Sequence, residues 1–231
     1  IGYLNDFGFG VKTGVQMPSE RKGFMRPISS IRPIELATTS YGQGMTVNAL
    51  QLAMATATIA NGGVRMKPRL VTQIIDEQGV PAWRQEPEAV MRVLSEDTAA
   101  NVTRMMVSVV EPGGTGTKAS VPGYKVAGKT GTAQKVTDKV YGSARIGSFI
   151  GFLPAENPKL AIVVIVDEPQ GPIKYGGWVA GPAFSRIASQ SLAYLGVAPT
   201  RPQNEDPDDT APLPEPSVVG GKALVFADGH W

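Results

Sequence analysis

Gly123-Tyr-Lys-Val-Ala-Gly-Lys-Thr-Gly-Thr-Ala-Gln-Lys135 admits two incompatible readings, and the choice between them decides the fold. Residues 123–130 fit Gly-x-x-x-x-Gly-Lys-Thr, the pattern of a loop that cradles phosphates. Such a loop must follow a buried strand and open a helix whose first amides hold the anion. Neither condition is met. Gly113-Gly-Thr-Gly-Thr-Lys-Ala-Ser-Val-Pro122, upstream, is loop-forming. Gly131-Thr-Ala-Gln-Lys-Val-Thr-Asp138, downstream, has no helical stripe and puts glycine near the start of the would-be helix. Asp167, after an apolar run, is the one candidate acid for a magnesium ion.

The second reading makes 124–136 a strand. Tyr124, Val126 and Gly128 then face one way, and Lys125, Ala127 and Lys129 the other. Lys129-Thr130-Gly131-Thr132 on a strand edge has a chemical use. Lys129 offers a cation to an anionic substrate end, and the Thr130 and Thr132 hydroxyls can donate to a carboxylate. Gly131 has no side chain, so an extended peptide can lie along the backbone as an added strand. A backbone N–H past the glycine can stabilise an oxyanion during acyl transfer.

The flanking pattern supports a sheet with helices around it. Residues 1–34 are punctuated by Gly8, Gly10, Gly14, Pro18, Gly23 and Pro27 and read as irregular. Asn48–Ala60 reads as a buried helix, with Thr46 as N-cap and Asn61-Gly62-Gly63 as stop. Leu70–Ile75 and Val90–Val93 read as strands, with a turn at Asp76–Gly79. Ser95 opens a helix whose Val102, Met105, Met106, Val109 and Val110 form one apolar stripe. After a polar loop to Arg145, Ile146–Leu153 and Leu160–Val166 read as a hairpin, the second strand apolar on both faces and therefore central. A last helix runs from Pro182 to about Leu195, with Gly196 as stop. Strands in a meander, with helices before and after, predict an α+β fold with an antiparallel sheet.

Bulk properties exclude several chemistries. The 231 residues contain no cysteine, which removes disulfides, thiolate metal sites and a cysteine nucleophile. The single histidine, His230, is next to the last residue, which argues against a Ser-His-Asp triad or a histidine metal site. The sequence thus calls for no metal and no cofactor. Net charge is +2; residues 199–231 carry six acids against Arg201 and Lys222, net −4, which leaves +6 on the body. That excess suits an anionic ligand, and no basic run with interleaved aromatics points to nucleic acid. The longest apolar run, Leu160–Val166, is too short to span a bilayer. Ser19-Glu-Arg-Lys22 has serine-x-x-lysine spacing, but Pro18 and Gly23 bracket it, so no helical turn brings Lys22 onto Ser19. Residues 199–216 hold six prolines and five acids and read as a solvated linker.

These motifs stand in an order that resembles the C-terminal part of the transpeptidase domain of class B penicillin-binding proteins, most of all the division-type enzymes. The resemblance covers nearly all of residues 1–197. It rests on Phe7-Gly-Phe-Gly10 with Gly14 and Glu20, Tyr41-Gly-Gln-Gly44 with Leu50-Gln-Leu-Ala53, and Asn61-Gly-Gly63 with Pro68. It continues through Val126-Ala-Gly-Lys-Thr-Gly-Thr132, Ser148-Phe-Ile-Gly-Phe-Leu-Pro154, Asp167-Glu-Pro169, Tyr175-Gly-Gly177 and Pro182-Ala-Phe184. Lysine-threonine-glycine is one of three motifs of these proteins.

The resemblance implies a penicillin-binding, serine β-lactamase-like fold with its N-terminal part missing. It divides the chain into 1–197, part of the transpeptidase domain; 198–216, the linker; and 217–231, a tail whose Pro216-Ser-Val-Val-Gly220 resembles the opening of a wall-binding repeat. It implies a D,D-transpeptidase that cross-links peptidoglycan stem peptides through an acyl-enzyme and is acylated by β-lactams. Lys129, Thr130, Gly131 and Thr132 would bind substrate, with the Thr132 N–H as an oxyanion donor. Ser148 and Tyr175-Gly176-Gly177 would be structural or site-wall positions. The family's nucleophilic serine, its lysine base and its serine-x-asparagine motif precede the segment that resembles Ile1–Thr13. No catalytic residue is therefore expected within this chain, and Thr46-Val-Asn48 is misplaced to substitute. Further implied are other division proteins as partners, a membrane anchor ahead of residue 1, and a location on the outer face of the cytoplasmic membrane. A β-lactamase or D,D-carboxypeptidase shares the strand but passes the acyl group to water, and a non-catalytic relative would only recruit partners.

Overall fold

The first 126 residues build most of the helices and the small strands before the main sheet begins. In a computed structural model, which describes residues 2–137, 140–202 and 221–227, the order opens with α1 (Gly2–Asp6), α2 (Pro33–Thr39) and α3 (Ala49–Ala60). Then come β1 (Val64–Met66), β2 (Gln73–Ile75), β3 (Pro81–Arg84), β4 (Ala89–Arg92) and α4 (Glu96–Ser108). The sheet strands β5 (Ala127–Thr137), β6 (Val140–Leu153) and β7 (Leu160–Asp167) follow. Last are α5 (Gly176–Val179), α6 (Gly181–Tyr194) and β8 (Gly221–Ala227).

β5, β6, β7 and β8 form one antiparallel sheet in that spatial order. β1 pairs with β4 and β2 with β3, each as a separate antiparallel ribbon. The α+β expectation is met. β7 lies inside the sheet and is buried along nearly its whole length, as its two-sided apolar pattern requires. One face packs Phe149, Leu160, Ile162 and Val164 against Phe184, Ala188 and Leu192 of α6. Phe149 and Phe184 meet edge to face, ring centres 4.7 Å apart. The other face packs Ala127, Phe152 and Ala161 against Ala57 of α3 and Met106 of α4.

Several boundaries differ from the sequence reading for identifiable reasons. Asn48, not Thr46, caps α3: its side chain accepts the Gln51 N–H at 2.7 Å, and the Gln51 side chain accepts the Asn48 N–H at 2.9 Å. Thr46 instead bridges to Phe24. α4 ends at Ser108, short of Val109 and Val110, and Met105 of the expected stripe faces outward, 69% exposed, while Met106 is buried. β5 starts at Ala127 because Val121 and Tyr124 close a tight bridge just before it. β6 extends back to Val140, into the expected loop, because the hairpin continues past the end of β7. α2 escapes sequence reading because its seven residues, Pro-Ile-Glu-Leu-Ala-Thr-Thr, are too few for a periodic stripe; Pro33 at its first turn and a Glu35–Arg32 cap start it.

Of the expected linker and tail, residues 203–220 and 228–231 lie outside the described residues. Thr200 and Arg201 both donate N–H bonds to the Gly123 carbonyl, at 2.9 and 3.0 Å. The segment Gly221–Ala227 pairs along β7 from Val166 to Leu160.

Candidate functional site

β5 is the outermost strand of the sheet, and among the described residues its far edge pairs with nothing. Lys129, Thr130, Gly131 and Thr132 lie in its first half, opposite Ile150, Phe149, Ser148 and Gly147 of β6. The nucleotide-loop reading fails here, because Lys129 and Thr130 continue into a strand and no helix presents its first amides to a phosphate. Strand alternation puts Ala127, Lys129 and Gly131 on the sheet face covered by α3 and α4. Thr130 and Thr132 fall on the face covered by α5 and α6.

The backbone at Gly131 has little room. A Cβ on Gly176 would collide with the carbonyl oxygens of both Gly131 and Ser148. These two paired residues turn their peptide groups toward each other beneath α5. Alternation then turns the peptide groups of Thr130 and Thr132 to the open edge. Consistent with that, the Thr130 carbonyl accepts a hydrogen bond from Lys129 Nζ at 2.8 Å. Lys129 is exposed, and among the described residues no carboxylate pairs with it. The edge thus presents an ammonium group, an outward N–H at Thr132 and a glycine with no side chain.

Two contacts orient the hydroxyls. The Gly176 N–H donates to Thr132 Oγ1 at 3.0 Å. Having accepted there, the Thr132 hydroxyl keeps its own proton to donate elsewhere. Thr130 Oγ1 lies 3.1 Å from Thr115 Oγ1, in the turn after α4. Gly177 completes the cradle: a Cβ there would strike the Thr115 carbonyl and come within 3.0 Å of Thr130 Cγ2. Tyr175-Gly-Gly177, read from sequence as structural or site wall, touches the site strand through its two glycines. Tyr175 itself is exposed. Ser148 lies behind the strand, its hydroxyl filling the space a Gly131 Cβ would take.

The two ends of β5 are tied down. At its root, Tyr124 Oη donates to the Val197 carbonyl at 2.6 Å, beside the Gly123 contacts with Thr200 and Arg201. Near its far end, Lys135 Nζ reaches Glu168 at 2.7 Å and Asp167 at 3.1 Å, across the end of β6. Hydrogen bonds that it donates to Glu168 and then Asp167 hold the Lys135 ammonium above its ordinary pKa. Lys135 is thus committed to structure.

The remaining sequence candidates fall elsewhere. Ser19 sits in a turn with φ of 65°, and Lys22 follows in irregular chain, so the pair shares no helical turn. No group of histidine, cysteine, aspartate or glutamate suited to a metal ion occurs among the described residues. No helix among them is long and apolar enough to cross a membrane. Sequence reasoning missed Thr115 and the Gly176 N–H. The repeated glycines at 113, 114 and 116 mark a tight turn, but only the fold brings that turn to Thr130.

The comparisons bear on what this edge does. Residues 2–189 match the family described as the penicillin binding protein transpeptidase domain. Stage V sporulation protein D of Bacillus subtilis is 42% identical over 223 residues, covering 94% of this chain and 34% of that protein. A probable peptidoglycan D,D-transpeptidase, PenA of Neisseria meningitidis, is 40% identical over 201 residues, covering 87% of this chain and 33% of that protein. The crystal structure of penicillin-binding protein 3 of Mycobacterium tuberculosis, complexed with ampicillin, superposes with a TM-score of 0.78 at 32% identity. It covers 92% of this chain and 48% of that one. The chain spans about a third of the length of the curated relatives it matches.

Proposed function

This chain belongs to the penicillin binding protein transpeptidase domain family, and from that premise we propose that it forms the substrate-binding wall of a peptidoglycan D,D-transpeptidase. The observation that carries the reading is the unpaired outer edge of β5 with Lys129–Thr132 along it. A stem peptide ending in D-alanyl-D-alanine is extended, narrow and anionic at its end. It lies along β5 as an added strand, its terminal carboxylate toward the Thr130 and Thr132 hydroxyls, while the Lys129 ammonium supplies positive charge from the other side of the edge.

The chemistry is acyl transfer. A serine supplied by residues outside these 231, with a lysine as its base, attacks the carbonyl of the penultimate D-alanine. The Thr132 N–H takes part in holding the oxyanion. The peptide bond breaks, the terminal D-alanine leaves with the proton on its amine, and the serine ester remains. The amine of a neighbouring stem attacks that ester and restores the serine. β-Lactams present a carboxylate and a strained amide at similar spacing and acylate the same serine. We place the activity in wall synthesis at division or sporulation, on the outer face of the cytoplasmic membrane, behind a membrane anchor and among other division proteins. The B. subtilis relative's name and the division-type motifs support the role at division or sporulation, and the location, anchor and partners follow from the family resemblance.

Labelling of the full-length gene product with a fluorescent penicillin tests the reading. The wild type forms a covalent adduct. Lys129→Ala slows its formation by about 10²-fold or more, the usual cost of removing a charge-stabilising group from an acyl-transfer site. An unlabelled wild type sinks the proposal. Labelling of residues 1–231 alone would move the nucleophile back into this chain.

A further inference from the structure

We propose that Thr115 is a positioning residue, which sets the direction of the Thr130 hydroxyl and through it the preference for a ligand with an anionic end. The inference rests on the reading that Thr130 meets a terminal carboxylate.

Three elements converge on Thr130. On β5, its register partner is the fully buried Phe149 of β6, so its backbone cannot shift. From α5, Gly177 closes on the Thr130 methyl. From the turn after α4, Thr115 brings its hydroxyl to 3.1 Å from Thr130 Oγ1. A threonine has stiff χ1 wells. With the methyl against Gly177 and the hydroxyl against Thr115, one well satisfies both contacts.

The Thr115 turn is itself held firmly. The Gly116 N–H donates to the Val109 carbonyl at 2.8 Å and the Gly114 N–H to the Glu111 carbonyl at 2.9 Å. A Cβ on Gly114 would collide with the Val109 carbonyl, and one on Gly116 would approach Phe149 Cε2 at 2.8 Å. The turn thus leans on Phe149, the same ring that backs Thr130. Its position relative to β5 is set by the core.

A hydroxyl has one proton and two acceptor lone pairs. When Thr115 donates to Thr130, the Thr130 proton turns to the open edge. That is the arrangement a carboxylate selects, because an anion accepts and never donates. A neutral ligand end gains less, so Thr115 acts as a discriminator for charge.

Acylation rates of the full-length gene product by a penicillin and by the methyl ester of that penicillin provide the test. Thr115→Val keeps the volume and removes the hydroxyl. We expect it to slow acylation by the free acid about three- to tenfold, the scale of one hydrogen bond between neutral groups. The ester's rate stays within about twofold on that same scale, and Thr115→Ser restores the acid's rate. In a Thr130→Val background, Thr115→Val has no further effect, because the residue works through Thr130. Equal slowing of acid and ester, an unchanged acid rate, or additive losses in the double variant each overturn the assignment. A wild type that reacts with neither compound overturns the transpeptidase reading itself, and this inference with it.

Discussion

The β5–β7 body and the leading segment of residues 2–46 are held by opposite means. In the body, Phe149, Phe152, Leu153, Leu160, Ile162, Phe184 and Leu192 have no measurable exposure, and apolar burial does the work. In the leading segment, Phe24, Ile28, Ile34, Leu36 and Tyr41 are half or more exposed. There the order comes from a few polar side chains. Gln51, 1% exposed, donates to the carbonyls of Val11 at 2.7 Å and Lys22 at 3.0 Å. Its side-chain oxygen also accepts the Asn48 N–H. Glu20 accepts the N–H groups of Thr13 and Gly14 and the Asn48 amide. The contrast shows why the site sits where it does. A strand edge that must receive a peptide needs a rigid apolar floor, whereas the leading segment only needs its path fixed.

The largest effect should come from the body. Phe149→Ala leaves a cavity beneath Thr130, beside Phe184 and under the Thr115 turn. A loss of about 3–5 kcal/mol in chemical denaturation is expected. A loss under about 1 kcal/mol, the mildest end of core truncation, would mean that the floor is less tightly packed than these contacts indicate. Gln51→Ala is next. It removes the bonds to the Gly8, Val11 and Lys22 carbonyls and to the Asn48 N–H, at a cost of about 1–3 kcal/mol. Hydrogen exchange locates the damage: amides of residues 8–22 lose protection while those of β6 and β7 keep theirs. Equal loss in both regions would erase the distinction drawn here.

The smallest effect is a matter of pH. Partial burial pushes the Glu20 carboxyl up, but the bonds from Thr13, Gly14 and Asn48 outweigh it and hold the pKa below the ordinary 4.5. A depressed carboxyl contributes stability at neutral pH. That contribution begins to fade below the unfolded value and is lost as pH falls through the folded one. Protection of the Thr13 and Gly14 amides should therefore decline with acid in the wild type. In Glu20→Gln it should be weaker at neutral pH and insensitive to that change.

The two regions also differ in how far the sequence revealed them. α3, α4, α6 and the β6–β7 pair were legible because their apolar periodicities are strong and their stops are glycines or prolines. The Lys129–Thr132 strand was legible from residue types and from context, since Gly113–Pro122 before it forbids the alternative. α2 and α5 were not, being one or two turns long and so without a periodic stripe, and α5 is built from Gly-Gly-Trp, which local preference disfavours. Within the site, Thr115 and the Gly176 N–H were out of reach. They lie 15 and 44 residues from the hydroxyls they orient, and only packing brings them together.

The strap at the root of β5 has a mechanical consequence. Tyr124 holds Val197, and Gly123 holds Thr200 and Arg201, so the chain leaves α6 and crosses the root of the site strand. Tension on the segment beyond Pro202 reaches the body at Gly123 before it reaches α6. The C-terminal segment is then fastened twice, along β7 by β8 and at the root of β5 by Gly123, and a pull that reaches Pro202 acts on the strand that carries Lys129.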